Sequence, residues 1–217
     1  MVKQAKLPTP NPVRTRRAYF DCRFGQLHVR TAFPATGGFD EGVTLFCLHP
    51  REASSRIFEK FLPEIAEDRS VYAPDLPGCG ESDAAPSASG ESDAAPLSYE
   101  NAANAVLDLA SDLRLRQIDL LGFRFGAGTA LTLCALRPNL VRRLVLVGVP
   151  AVEGLPPIAH ETLVLRVKLG AADESLWAKG ALTRARFVDM SDYAADMFEV
   201  APKTLAKQIA AYLGAKG

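Results

Sequence analysis

Residues 120–130 read LLGFRFGAGTA, and this short stretch decides the fold. An almost wholly apolar run reaches Gly122, and a run of small and apolar residues follows Gly126. The two glycines stand four positions apart, with Arg124 midway between them. This order predicts a buried strand that passes through a tight turn directly into a helix. The sequence therefore places an arginine at the centre of a strand–turn–helix junction.

Apolar strand candidates alternate with helical patterns on both sides of this junction. Nearly continuous apolar runs are typical of strands buried on both faces, as in parallel sheets. The predicted strands are a hairpin around Gly25 within 17–33, and the segments 43–49, 70–80, 118–123, 141–150, 161–169 and 185–191. The predicted helices are 55–68, 98–115, 126–138, 174–184 and 202–214. This alternation indicates an α/β domain with a mostly parallel sheet of about eight strands and an N-terminal antiparallel hairpin.

The bulk composition limits the kinds of partner that the chain is expected to have. Its 217 residues are 48% apolar and 23% charged, which suits one globular domain with a sizeable core. Twenty-five basic and 25 acidic residues give a formal net charge of zero, which argues against nucleic acid and anionic membranes as partners. The four cysteines lie far apart without a C-x-x-C motif. We therefore expect a cytoplasmic protein with free thiols, and no motif indicates a metal or a cofactor.

Two segments depart from the regular pattern. Residues 1–17 contain three prolines and five basic residues without an acid, which predicts a disordered basic tail. The heptapeptide GESDAAP occurs twice within residues 80–96 at a spacing of ten residues. That spacing is too short for a repeat architecture and indicates a duplication within a surface loop. Residues 18–217 are predicted to form a single domain.

The order of motifs resembles the α/β-hydrolase superfamily along nearly the whole chain. The matching stretches, in chain order, are FCLHP (46–50), APDLPGCGESD (73–83), LLGFRFGAG (120–128), RPNLVRRLVLVGVP (137–150), LVLRVKLGAADES (163–175) and ARFVDMSDYAADMFEVAP (185–202). The second is the most specific of them. The resemblance implies a three-layer α/β/α domain. In this fold the nucleophile lies on a sharp strand-to-helix turn, and the acid and the histidine follow in that chain order.

The resemblance assigns a position to each part of the family's catalytic site. The nucleophile position holds Arg124, between the elbow glycines Gly122 and Gly126. The acid position is Asp173, and the position of the histidine holds Ala195. The oxyanion-hole region is implied to include His49, Arg51 and Phe125. The helical cap found in many relatives is reduced here to a short linker at about 151–161, so the chain is similar to a capless member with an incomplete triad.

The residues at these positions conflict with hydrolysis of the Ser-His-Asp type. A guanidinium stays protonated and has no usable lone pair, and alanine cannot relay a proton. The chain has three histidines, His28, His49 and His160, and none lies in the final loop. Cys79 and Cys134 are read as half-buried and core thiols, because no histidine is placed to activate them. Because Arg124 and Ala195 occupy these positions, we assign no catalytic residue from the sequence.

Arg124 lies at a helix N-terminus, where the helix dipole disfavours a cation by about 0.3–1 kcal/mol. We predict that Asp173 offsets this charge through an ion pair with Arg124. The alternative is that Arg124 and the amides at the start of the helix bind a small anionic ligand, a carboxylate or a phosphate.

Three functions remain open on the sequence alone. The leading interpretation is a catalytically degenerate α/β-hydrolase-fold protein with a binding, scaffolding or vestigial role. The second is an active hydrolase that cleaves esters or C–C bonds through a non-standard site. The third is a subunit whose open, capless cleft is covered by a protein partner, because exposed apolar surface often marks an interface.

Overall fold

A computed structural model describes residues 13–35, 42–86, 97–150, 152–168, 180 and 182–214 of the chain. Within these residues, eight strands form one sheet. In chain order they are β1 (Arg14–Cys22), β2 (Gly25–Phe33), β3 (Leu45–Leu48), β4 (Val71–Pro74), β5 (Ile118–Phe123), β6 (Val141–Val147), β7 (Glu161–Val167) and β8 (Ala185–Met190). The predicted strand count and the N-terminal hairpin are confirmed.

The spatial order of the strands is β1-β2-β4-β3-β5-β6-β7-β8. β1 pairs antiparallel with β2, and β2 pairs antiparallel with β4. Every other pairing in the sheet is parallel. The central strands β3 and β5 are buried along their whole length. Their continuous apolar sequences suit this position, because helices cover both faces of a parallel sheet.

The helices of the described residues differ from the predicted segments in 55–68, where two short helices replace one. They are a 3-10 helix (Ser55–Phe58), α1 (Leu62–Ile65), α2 (Tyr99–Asp112), α3 (Phe125–Leu136), α4 (Met197–Val200) and α5 (Pro202–Gly214). The single helix predicted for 55–68 is wrong, because this segment divides into the 3-10 helix and α1. Pro63 lies in the first turn of α1, where its missing N–H is tolerated; deeper inside a helix it would break the ladder.

The helices cover the sheet on two sides and create two hydrophobic cores. One core packs α2 and α3 against the sheet, with Leu109, Leu120 and Leu131 among its members. The other packs α1 and α5 against the opposite face, around Phe61 and Phe198. Ser98 begins α2 by accepting a hydrogen bond from the Asn101 N–H at 3.1 Å, the bond typical of an N-cap. The result is the three-layer α/β/α arrangement.

Other predictions fall partly or wholly outside the described residues. β1 begins at Arg14, inside the segment 1–17 that was predicted to be a disordered tail, because Arg14 to Arg17 pair with β2. Residues 1–12, the second copy of the duplicated heptapeptide and most of the predicted helix 174–184 lie outside the described part of the chain. Within that part, no helix combines the length and the apolar character needed to cross a membrane.

Candidate functional site

The order in which successive strands are added to the sheet reverses at β3, and this places the loops that follow β3 and β5 side by side. β3 lies between β4 and β5, so the chain leaves β3 toward one side of the sheet and returns past it to the other. Leu48 at the end of β3 pairs with Gly122 near the end of β5. The segments that follow these strands, from His49 and from Arg124, therefore meet at the carboxyl edge of the sheet. Open α/β sheets bind ligands at such a switch point.

Arg124 forms the turn between β5 and α3 with an unusual backbone conformation. Its φ is +50° and its ψ is −110°, outside the regions that residues with a Cβ normally occupy. Such a conformation costs of order 1–3 kcal/mol and persists where the surroundings impose it. The Arg124 N–H donates to the carbonyl of Val147 at 2.8 Å, and its own carbonyl accepts from Ala127 at 2.9 Å. The side chain is exposed, and it makes no hydrogen bond or ion pair with another described residue.

The turn is possible because two glycines allow backbone to touch backbone. A Cβ on Gly126 would collide with the carbonyl group of Leu48 on β3. A Cβ on Gly122 would lie 2.7 Å from the Ala127 nitrogen, well inside normal contact distance. Both glycines are therefore required by close packing of α3 against β3 and β5. The predicted glycine-braced junction around Arg124 is present.

Phe125, the first residue of α3, is held in a stack at the base of the site. Its ring stacks on Tyr99 with centroids 4.6 Å apart. The guanidinium of Arg51 lies over the Phe125 ring, 4.4 Å from the ring centroid, in a cation–π contact. Arg51 is exposed and follows β3. The structure thus brings together Arg51, Phe125 and Arg124, three of the residues named from the sequence, and places two guanidinium groups near the start of α3.

His49 lies in the loop that follows β3, and both of its ring nitrogens form hydrogen bonds. Its Nε2 accepts the Leu76 N–H at 2.8 Å, so the proton is on Nδ1, which donates to the Pro50 carbonyl at 2.7 Å. Burial lowers the pKa of His49, so the ring is kept neutral. His49 therefore fastens the loop after β3 to the loop after β4, and its ring nitrogens are unavailable to a ligand.

A second buried histidine, His28, pairs with an aspartate, and the sequence did not predict this pair. Val29 of β2 lies opposite Pro74 of β4, so His28 lies opposite Asp75. His28 Nδ1 and Asp75 Oδ2 are 2.9 Å apart. The pairing depends on the register of two strands about 45 residues apart in the chain, for which the sequence contains no signal. His28 is only 1% exposed, so its ring lies beneath the surface at which a substrate would bind.

Asp75 also organises the loop that follows β4. Its Oδ1 accepts the Ser55 N–H at 2.6 Å, and its Oδ2 accepts the Glu81 N–H at 3.0 Å. Burial alone would raise the pKa of Asp75, but the hydrogen bonds from Ser55, Glu81 and His28 outweigh it and lower the pKa. The carboxylate thereby joins β2, the 3-10 helix and the 76–83 loop.

The remaining predicted positions are Ala195, Asp173 and His160. Ala195 is exposed, in the loop between β8 and α4. Asp173 lies outside the described residues, so its ion pair with Arg124 stays a prediction. His160 lies just before β7, and its Nε2 contacts the Pro138 carbonyl at 2.8 Å. The start of β7 is at the amino edge of the parallel strands, opposite the edge that carries Arg124.

The thiols near the site are poor nucleophiles. Burial raises the pKa of the Cys79 thiol, and Cys79 Sγ lies 3.7 Å from the Arg51 carbonyl. Cys134, in α3, is buried, and burial raises its pKa strongly. A raised pKa leaves less of the reactive thiolate at neutral pH. Across the described residues, no group of three or more His, Cys, Asp and Glu side chains is placed to hold a metal ion.

Comparison with known sequences gives several relatives, two of which are hydrolases by name. The chain is 39% identical over 102 residues to the 2-hydroxymuconate semialdehyde hydrolase of Pseudomonas sp. strain CF600. It is 28% identical over 121 residues to the uncharacterized hydrolase YugF of Bacillus subtilis strain 168. These matches cover 45% and 56% of this chain. The chain spans 34% and 41% of the lengths of these two relatives.

Comparison with solved structures supports the same fold at low sequence identity. A predicted CIB-like hydrolase from Thermoplasma acidophilum superimposes with a TM-score of 0.76 at 16% identity, covering 93% of this chain and 98% of that one. The meta-cleavage product hydrolase of Pseudomonas fluorescens IP01 gives 0.74 at 11% identity, with coverages of 91% and 97%. The family model described as alpha/beta hydrolase fold matches residues 43–195. With the strand order and the β5–α3 junction, this match establishes that the chain belongs to the α/β-hydrolase family.

Proposed function

We propose that this α/β-hydrolase-fold protein binds a small anion at the β5–α3 turn and does not hydrolyse substrates through a Ser-His-Asp triad. The observation that carries the proposal is the exposed guanidinium of Arg124, held at φ +50° on the turn between β5 and α3. In the family this turn presents the nucleophile. Here it presents a fixed positive charge at the carboxyl edge of the central strands.

The lack of a base is the first support for a degenerate site. Triad chemistry needs a nucleophile and an imidazole that can accept its proton. All three histidines of the chain are described, and each is committed elsewhere. His49 uses both ring nitrogens, His28 is buried against Asp75, and His160 lies at the opposite edge of the sheet. Ala195, at the position that the family resemblance gives to the histidine, carries no titratable group.

The charges at the start of α3 support binding of an anion. The first N–H groups of a helix have no acceptor within the helix, and the helix dipole adds positive potential there. Arg124 and Arg51 add two guanidinium groups, and Arg51 is positioned by its contact with Phe125. A carboxylate or phosphate with these partners would form charge-assisted hydrogen bonds. Asp173 is the internal competitor, because an ion pair between Asp173 and Arg124 would satisfy the same charge without a ligand.

The anion site predicts a ligand-dependent stability that vanishes with Arg124. Phosphate or acetate at about 100 times its dissociation constant is expected to stabilise the native chain by about 2.7 kcal/mol, through mass action alone. The measurement is the thermal unfolding midpoint in each salt, compared with chloride at equal ionic strength. The Arg124→Ala variant should show no anion-specific increase, whereas Arg116→Ala, at an exposed arginine after α2, should behave as the native chain. Equal increases in all three proteins would show that the anions act elsewhere.

The loss of the triad predicts that activity can be partly restored at the proposed positions. The native chain should not react with a fluorophosphonate probe. The double variant Arg124→Ser with Ala195→His should be labelled about 10²–10⁴-fold faster than Arg124→Ser alone, the contribution typical of a positioned general base. The matched control moves the histidine by one residue, combining Arg124→Ser with Ala194→His. Probe labelling of the native chain would instead favour the second candidate.

That second candidate is an active hydrolase with a non-standard site. The 39% identity to a 2-hydroxymuconate semialdehyde hydrolase favours it, although only over a third of that enzyme's length. Activity of this kind would need a nucleophile and a base other than Arg124 and Ala195. Turnover of activated esters or of a C–C bond substrate by the native chain, lost on Asp173→Asn, would support it.

A further inference from the structure

A basic groove runs along the open edge of the sheet, on the side away from Arg124. β1 is the edge strand, and its only strand neighbour in the described part of the chain is β2. Arg14, Arg16 and Arg17 are exposed on β1, and no acidic residue occurs between positions 13 and 20. A groove of about 300 Å³ lies between these two strands and α1, lined by Arg16, Arg17, Arg30 and Glu59 among others.

Two arginines lie side by side on neighbouring strands in this groove. Arg17 of β1 is paired in register with Arg30 of β2. Like charges directly opposite one another on antiparallel strands destabilise the sheet. A native chain that keeps such a pair has a positive potential at this point for which an anion is the natural complement.

The side chain of Arg30 is largely buried, which raises the energetic cost of leaving its charge without a close partner. It is only 12% exposed, and its Nε atom is buried without a hydrogen-bond partner. The nearest carboxylate oxygen, on Glu59, is 3.8 Å from Arg30 Nη1, beyond hydrogen-bond distance. Glu59 is itself 55% exposed and lies 4.0 Å from Arg56 as well. One half-exposed carboxylate therefore serves two guanidinium groups, and a buried guanidinium is stable only when it is paired.

Protection of the edge against self-association explains only part of this arrangement. Charged side chains on an edge strand prevent edge-to-edge pairing, and the exposed Arg14 and Arg16 suit that role. A buried arginine does not, because its charge does not face an approaching strand. A second copy of the chain would also bring the β1 arginines against one another.

We propose that β1 binds an extended acidic segment of another protein, which adds to the sheet as a strand beside β1 and places a carboxylate against Arg17, on the face of the sheet that also carries Arg30. Strand addition uses the main-chain groups that an edge strand leaves unpaired, and side-chain pockets supply the specificity. Alternate residues of the added strand face the same side, so a segment with acidic residues at every second position fits the groove.

A labelled peptide of alternating glutamate and valine tests the proposal by fluorescence anisotropy with the full chain. A second peptide with proline in place of each valine keeps the charge but cannot form a strand ladder. We expect the proline peptide to bind at least about tenfold more weakly. Raising the ionic strength from about 0.01 M to about 1 M shortens the screening length from about 30 Å to about 3 Å and should abolish binding of both peptides.

Charge variants locate the binding. Arg17→Glu removes the repulsion with Arg30, so the variant is expected to fold, and it should weaken binding of the glutamate–valine peptide by about tenfold or more. Arg116→Glu, at an exposed arginine distant from the groove, should change binding less than twofold, by about the experimental error. Arg124→Ala should leave peptide binding unchanged, which separates this site from the anion site at the β5–α3 turn.

Three outcomes would overturn the proposal. The first is no anisotropy change at any accessible protein concentration. The second is equal affinity for the proline peptide, or displacement of the glutamate–valine peptide by free phosphate at equal concentration, either of which would mean capture of a simple anion. The third is a dimer in light scattering that Arg17→Glu dissociates, which would make a second copy of the chain the occupant.

Discussion

Replacing Asp75 with alanine is expected to lower the free energy of unfolding by about 3 kcal/mol or more, because the change leaves several hydrogen-bond donors without an acceptor. The change removes the acceptor for the Ser55 N–H, the Glu81 N–H and His28 Nδ1 together. Each buried donor left without a partner costs about 1–3 kcal/mol. Urea unfolding followed by circular dichroism measures the loss.

The same carboxylate predicts the direction of the acid dependence. Because the folded state lowers the pKa of Asp75, its contribution is fully present above its ordinary value of 3.8 and disappears as the pH falls through the lower folded value. Asp75→Asn does not titrate, so its free energy of unfolding should fall less steeply below about pH 4 than that of the native chain.

Asp112→Ala provides the matched control for both measurements. Asp112 is an exposed carboxylate at the end of α2. Its removal should change the stability by no more than about 0.5 kcal/mol, as for surface substitutions in general. If Asp75→Ala were no less stable than Asp112→Ala, the carboxylate would not join β2, the 3-10 helix and the 76–83 loop as the distances indicate.

Gly126→Ala is expected to destabilise the chain by about 1–3 kcal/mol or more, as overpacking of a close-packed core does. The added Cβ would collide with the backbone carbonyl of Leu48 and lie 2.9 Å from the Leu48 Cβ. Leu48 belongs to the central strand β3, so it cannot move without disturbing β4 and β5. Relief must come from displacement of α3, which would also distort the turn at Arg124.

Thermal unfolding and anion binding should therefore change together in Gly126→Ala. Gly214→Ala, at the end of α5, is the control, because nothing lies within 4 Å of its added Cβ. That variant should be as stable as the native chain or slightly more stable, since alanine restricts the unfolded chain. Native stability of Gly126→Ala would contradict the close approach of α3 to β3.

The fold was predictable because its signals are local. Continuous apolar runs fix the buried strands, and the glycines at 122 and 126 mark a turn between a strand and a helix whatever lies around them. Ser98 announces the start of α2 by itself, since an N-cap bonds only to its own helix. The division of the 55–68 segment was not predicted, although Pro63 was a local signal for it.

The site was predictable only in part, because its contacts join distant segments. The sequence identified Arg124 as the turn residue and Ala195 at the position of the missing histidine, through the order of motifs. It did not show that His28 pairs with Asp75, that both nitrogens of His49 are occupied, or that Arg51 lies on Phe125. Each of these contacts depends on strand register or on the packing of two loops.

The sequence by itself determined the succession of strands and helices. It also determined that arginine and alanine, rather than serine and histidine, occupy positions 124 and 195. Those are properties of single residues and of short periodic segments. The tertiary structure alone decided which charges are compensated. Asp75 receives three hydrogen-bond donors, whereas Arg17 and Arg30 lie side by side with one carboxylate 3.8 Å from Arg30. The reason is physical, because the energy of a charge depends on its burial and on its distance to other charges, and both are set only when remote segments pack together.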